Sequence, residues 1–172
     1  VGKYEIVKND KVGPTIGKEL TEKSILALVI GSILIIIYVT IRFELVYAVV
    51  GLLALLHDII ITMGLIALLK YEINTPFIAS ILTILGYSIN DTIVIFDRIR
   101  ENEKKEGKVR DYSTIIEESV DQVFVRSVNT SLTTIMAIVV LLIFGGDTLK
   151  TFSMTLFIGM IIGSYSSIFM AT

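Results

Sequence analysis

Three ionisable clusters sit inside or at the edge of long apolar runs: His57-Asp58, Asn90-Asp91 and Arg126. A charged side chain at the centre of a lipid-embedded helix costs about 2.5–3.5 kcal/mol on an insertion scale, so such residues are seldom idle. Burial raises the proton affinity of a carboxyl group, and a neighbouring guanidinium lowers it. An acid that gains and loses an arginine as helices shift therefore takes up and releases a proton in turn. Asp91 and Arg126 are the candidate pair for this proton relay, provided that the long stem of Arg126 snorkels toward the acid. A hundredfold change in proton affinity is worth about 2.7 kcal/mol. One charge crossing about 100 mV gains about 2.3 kcal/mol, so the two are comparable.

Helical spacing extends both ends of the pair. Ser80, Thr83, Tyr87, Asn90-Asp91 and Val94 recur at three- and four-residue intervals, as do Arg126, Asn129-Thr130 and Thr133, with the small Ala137 above them. Such intervals place side chains on one helix face, and two such stripes facing each other make a wettable seam. The plainer reading of the hydroxyls is interhelical hydrogen bonding. Asp91 lies 14 residues past Phe77 and Asp58 lies 11 before Leu69, depths of about 21 and 16 Å at 1.5 Å per residue. The two acids are thus expected near one layer. His57, of a residue type that titrates near neutral pH, is a relay candidate or a neutral side chain held by a neighbour. Asp58 is its expected partner, or a backbone partner fixing the second span.

The elements that must position these groups are membrane spans. Of the 172 residues, 53% are hydrophobic, and mean hydropathy is +0.79. Apolar blocks at Ser24–Ile41, Leu45–Leu69, Phe77–Ile95, Val128–Phe144 and Phe152–Ala171 approach or reach the ~17–25 residues that a bilayer crossing needs. The expected fold is an all-α polytopic membrane protein, a five-helix transmembrane bundle over 24–172. Residues 1–23 form a short polar N-terminal tail, with a turn at Gly13-Pro14, and read as the end of a water-exposed domain. Lys and Arg gather in Arg42 and in 96–127, which makes that side cytoplasmic and the tail extracytoplasmic. Thr114-Ile115-Ile116-Glu117 fits a capping box for a cytoplasmic linker helix through Val123, lying on the membrane surface or running into the fourth span. Gly159 and Gly163, extended by Ser167 at the same spacing, are expected to pack helices closely.

Several functions are disfavoured. A net charge of −2 offers no bulk basicity for nucleic acid. The absence of Cys excludes disulfides, and with a single His a zinc site is not expected. No phosphate-binding glycine loop is present. Asp58 and Asp91 superficially resemble the pair of an intramembrane aspartyl protease, but the Ser-Ile-Asn-Asp context and the adjacent His57 speak against it. No enzymatic activity and no cofactor are expected, the proton gradient being the energy source.

The segment GYSINDTIVIFDRIREN (86–102) resembles the signature of the SecD/SecF family of protein-export membrane proteins, within the resistance–nodulation–division superfamily. VGPTIGKEL (12–20), ALLHDIIITMG (54–64), RSVNTSLTT (126–134) and IGSYSSIF (162–169) extend the resemblance across nearly the whole chain. It implies the last five spans of a six-span module whose first span and extracytoplasmic domain lie outside this sequence. It further implies a multi-pass protein of the cell membrane that associates with SecD, assists the SecYEG translocon and acts on unfolded polypeptide. Asp91 and Arg126 match the family's proton-conducting pair. The alternative within the superfamily is a proton-coupled exporter of small molecules or lipids.

Overall fold

The computed structural model describes residues 14–106 and 111–172, and every element among them is an α-helix. The order is α1 (Pro14–Arg42), α2 (Leu45–Leu68), α3 (Thr75–Glu106), α4 (Tyr112–Phe144) and α5 (Gly146–Phe169). All five are long and apolar enough to cross a membrane. Short turns make successive helices antiparallel, so Arg42, the end of α3 and the start of α4 share one charged end.

Local chemistry explains the turns. Leu69 closes α2, and Lys70 takes a left-handed φ of 58°. Its N–H donates to the Ala67 carbonyl at 3.0 Å, and that of Tyr71 to Ile66 at 3.2 Å, the paired bonds of a Schellman ending. Asn74 then accepts the Phe77 N–H on Oδ1 at 3.0 Å, a side-chain N-cap, and Pro76 in the first turn loses no needed donor. Between α4 and α5, Gly146 takes φ 70°, a conformation that glycine adopts without steric cost.

The charged stretch is more helical than hydropathy alone indicates. α1 begins at Pro14, ten residues before its apolar block, and residues 1–13 lie outside the described set. α3 runs on to Glu106, and α4 starts at Tyr112 and continues unbroken through the fourth apolar block to Phe144. The linker helix therefore runs into the fourth span, the second of its two expected arrangements. The capping box is corrected. Asp111 occupies the cap position with no side-chain cap bond, and Thr114 lies inside the first turn, its N–H donating to the Asp111 carbonyl.

The bundle buries an apolar core that includes Leu55, Ile66, Ile84, Ile95 and Phe96, yet it also leaves much apolar surface outside. Large side chains such as Ile41 and Phe144 are more than 80% exposed, whereas Asp58, Thr62, Ser80 and Ser167 are fully buried. α3 and α5 make the most extensive contact, and α1 is peripheral, with 6% of its most apolar window buried. Small residues set the α3–α5 approach. A Cβ on Gly159 would lie 2.1 Å from Ile84 Cδ1, and one on Gly163 would lie 3.3 Å from Ser88 Cβ.

Candidate functional site

Asp91 sits on α3 facing α4, 7% exposed. Its Oδ1 accepts a hydrogen bond from Ser127 Oγ of α4 at 2.9 Å. Its Oδ2 is buried with no hydrogen-bond partner. The same seam carries Tyr87, whose hydroxyl donates to Ser131 Oγ at 3.3 Å. Further along, Asn102 donates from Nδ2 to Ser119 Oγ at 2.8 Å and to Gln122 Oε1 at 3.0 Å. Arg98 Nε also donates to Gln122 Oε1 at 2.5 Å. The inward face of α4 is therefore the four-residue series Ser119, Val123, Ser127, Ser131. Serines there leave room for α3 and supply hydroxyls that bond across the seam.

The two-stripe expectation needs correction at α4. Arg126, Asn129, Thr130 and Thr133 lie on the outer surface of this bundle, as do Thr83 and Asn90 of α3. Thr130 Oγ1 turns back to the Arg126 carbonyl and Thr133 Oγ1 to the Thr130 carbonyl, each at 2.9 Å. The cause is the 100° step between consecutive helical residues. Ser127 and Ser131 face α3, so their neighbours Arg126 and Thr130 cannot. Among the described residues no ion pair or hydrogen bond joins Arg126 to Asp91. Arg126 instead lines a cavity of about 400 Å³ at the charged end, with Val94, Asp97, Arg98, Glu101 and Val123 among its neighbours. Val94 and Val123 are one helical turn from Asp91 and Ser127, so the cavity floor comes within about 5 Å of axial rise of the acid. Asn90 borders a separate space of about 370 Å³ between α1 and α3, with Leu34, Tyr38 and Gly86.

Asp58 belongs to a different constellation. It is fully buried. Its Oδ1 lies 3.1 Å from His57 Nδ1, and its Oδ2 accepts from Ser88 Oγ at 2.7 Å. Ser167 of α5 donates to the Ser88 carbonyl at 3.2 Å, and Thr92 Oγ1 stands 3.1 Å from Ser167 Oγ. Gly163 leaves the space beside Asp58 Oδ2 and Ser88. This network ties α2, α3 and α5 together. Ser88 is only three residues, about 4.5 Å of rise, from Asp91, so the two acids do lie within one turn axially. They address different neighbours: Asp58 turns to His57 and Ser88, Asp91 to α4. Sequence reasoning missed Ser127, Ser88 and Asn102; the recurrence of Ser at 119, 127 and 131 is the signal that held the first.

A bundle of five helices, each long and apolar enough to cross a membrane, defines an all-α polytopic membrane protein. The family model for "Protein export membrane protein SecD/SecF, C-terminal" matches residues 1–172, and the chain belongs to that family. The protein translocase subunit SecF of Sebaldella termitidis is 57% identical over 171 residues, covering 99% of this chain and 56% of that protein. SecF of Synechocystis is 47% identical over 178 residues, again 56% of its length. The protein translocase subunit SecDF of Thermus thermophilus is 42% identical over 170 residues, 23% of its length. The chain thus spans about half the length of the SecF relatives. A crystal structure of Thermus SecDF, described as a translocon-associated membrane protein, superposes with a TM-score of 0.87 at 44% identity over 93% of this chain and 22% of that one. SecDF in a super-membrane-facing form gives 0.82 at 40% identity, covering 93% of this chain and 21% of that one.

Proposed function

We propose that this chain is the membrane portion of an auxiliary subunit of the Sec protein-export machinery, in which proton passage through Asp91 drives polypeptide movement across the cell membrane. The supporting observation is the state of Asp91: one carboxyl oxygen held by Ser127, the other buried without a partner. An intramembrane carboxyl with a free oxygen is arranged to bind something transient. A proton satisfies that requirement from one side. The Arg126 guanidinium, borne on the residue beside Ser127 and lining the adjacent cavity, satisfies it from the other. Alternation between the two moves one charge per cycle.

In this reading SecD is the companion of the outer faces of α3 and α4, where Asn90, Asn129 and Thr133 would otherwise meet lipid. The SecYEG translocon and an unfolded polypeptide are the partners in transport. Residues 96–127 face the cytoplasm and the N-terminal tail faces outward, in keeping with the clustering of Arg42, Arg98, Arg100 and Arg126 at one end of the bundle. His57 and Asp58 support α3 rather than carry current, since both Asp58 oxygens are already bonded. The protein needs no cofactor and catalyses no covalent reaction.

The test is gradient-stimulated translocation of a secretory preprotein into membrane vesicles holding the full-length protein. The gradient-dependent increment disappears in Asp91→Asn, while gradient-independent translocation persists. An increment of wild-type size in that variant refutes the proposal.

A further inference from the structure

We infer that Ser127 is the exchange partner of Arg126 at Asp91: it holds the carboxyl while the guanidinium is turned away, so that α4 offers the acid two alternative partners from adjacent positions. This rests on the reading of Asp91 as the proton carrier and deepens it by naming what occupies the acid in the half-cycle without arginine.

The geometry carries the inference. Ser127 is 1% exposed and bonded to Asp91 Oδ1 at 2.9 Å, whereas Arg126 is exposed, lines the cavity and, among the described residues, bonds no acid. The two residues are one helical step apart, and the long arginine stem spans what a partial turn of α4 leaves uncovered. Their chemistries differ in the needed way. A hydroxyl both donates and accepts, so it serves a carboxylate and a carboxylic acid alike; a guanidinium only donates, so it selects the carboxylate. Ser127 therefore tolerates proton loading and Arg126 opposes it. While Ser127 holds Oδ1, the unpartnered Oδ2 is the oxygen that takes the proton.

The seam permits such a movement. Thr130 and Thr133 bond their own helix rather than a neighbour, and the Tyr87–Ser131 contact is long at 3.3 Å. Ionisable groups within the apolar stretches of the surrounding helices include Arg126 on α4, Asp58 and His57 on α2, Tyr38 on α1 and Tyr165 on α5. None of them bonds Asp91 among the described contacts.

The experiment is infrared difference spectroscopy across an acid–base step on the full-length protein with its SecD partner in lipid. The carboxylic-acid C=O band of Asp91 is identified by its loss in Asp91→Asn. Ser127→Ala is expected to move that band to higher wavenumber, because the carbonyl loses its hydrogen bond. Ser127→Thr should leave it in place, and Arg126→Ala should leave it in place because the guanidinium is absent from the loaded state. If Ser127→Ala fails to fold, Ser127→Cys, a weaker donor, carries the same comparison and should give a smaller upward shift. An unmoved band in the Ala or Cys variant, or an equal displacement by Arg126→Ala, overturns the role of Ser127 alone. Absence of any band sensitive to Asp91→Asn overturns the proton-carrier reading beneath it.

Discussion

Replacing Gly159 by alanine inserts one carbon where α5 meets α3. That carbon would stand 2.1 Å from Ile84 Cδ1, 2.6 Å from Cγ1 and 3.2 Å from Cγ2, against about 3.5–4.0 Å for relaxed carbon contact. Ile84 is 1% exposed, and the inner Cγ1 cannot swing aside as a chain end can, so the helices must part by roughly 1.5 Å to restore that spacing. Overpacking costs about 1–3 kcal/mol. The depth of this overlap places Gly159→Ala in the upper part, about 2–3 kcal/mol, or roughly 30- to 150-fold in the folded fraction. Gly163→Ala meets nothing closer than 3.3 Å and should cost under about 1 kcal/mol. Gly64→Ala meets nothing within 4 Å and should be neutral, or gain up to about 1 kcal/mol from helix propensity. Reversible unfolding from mixed micelles reads all three. In a cycle with Ile84→Ala, the Gly159 penalty should largely vanish, a coupling of about 2 kcal/mol. Simple additivity, or a Gly159→Ala variant as stable as Gly64→Ala, would refute the packing argument.

Three further outcomes follow from specific contacts. Asp58→Ala strips both His57 and Ser88 of a buried partner and should destabilise by about 1–3 kcal/mol, with Asp58→Asn recovering part of the loss because it keeps shape and one acceptor; thermal unfolding of the purified protein measures both. Asn102→Ala leaves Ser119 and Gln122 without their shared donor and should cost about 1–3 kcal/mol, seen as faster amide exchange in 98–122 while α5 is unchanged. The Arg42–Asp97 pair at 2.9 Å has both side chains about half exposed, so Asp97→Asn should shift stability by no more than about 1 kcal/mol and lose even that at high salt.

The spans, the burial of Asp91 and the contact role of Gly159 were legible because each follows from one helix and its period. The facing residue of α4 was not. Polar groups line both of its sides, Ser119, Ser127 and Ser131 on one and Arg126, Asn129, Thr130 and Thr133 on the other. A charge is the more conspicuous, yet serine admits the closer helix. The length of α3 was also hidden. Hydropathy falls after Ile95, but Arg, Glu and Lys at 98–106 form helix readily once a helix is already started. The Asp58–Ser88–Ser167 network joins residues more than 100 positions apart at its extremes, and no local pattern encodes such a meeting.

The account rests on a proton being carried at Asp91, and flux is its most direct measure. The full-length protein reconstituted together with SecD in sealed vesicles, given an imposed proton gradient and followed with an internal pH dye, should acidify the lumen in the wild type and leave it at the protein-free rate in Asp91→Asn. Equal acidification by the two would contradict the assignment.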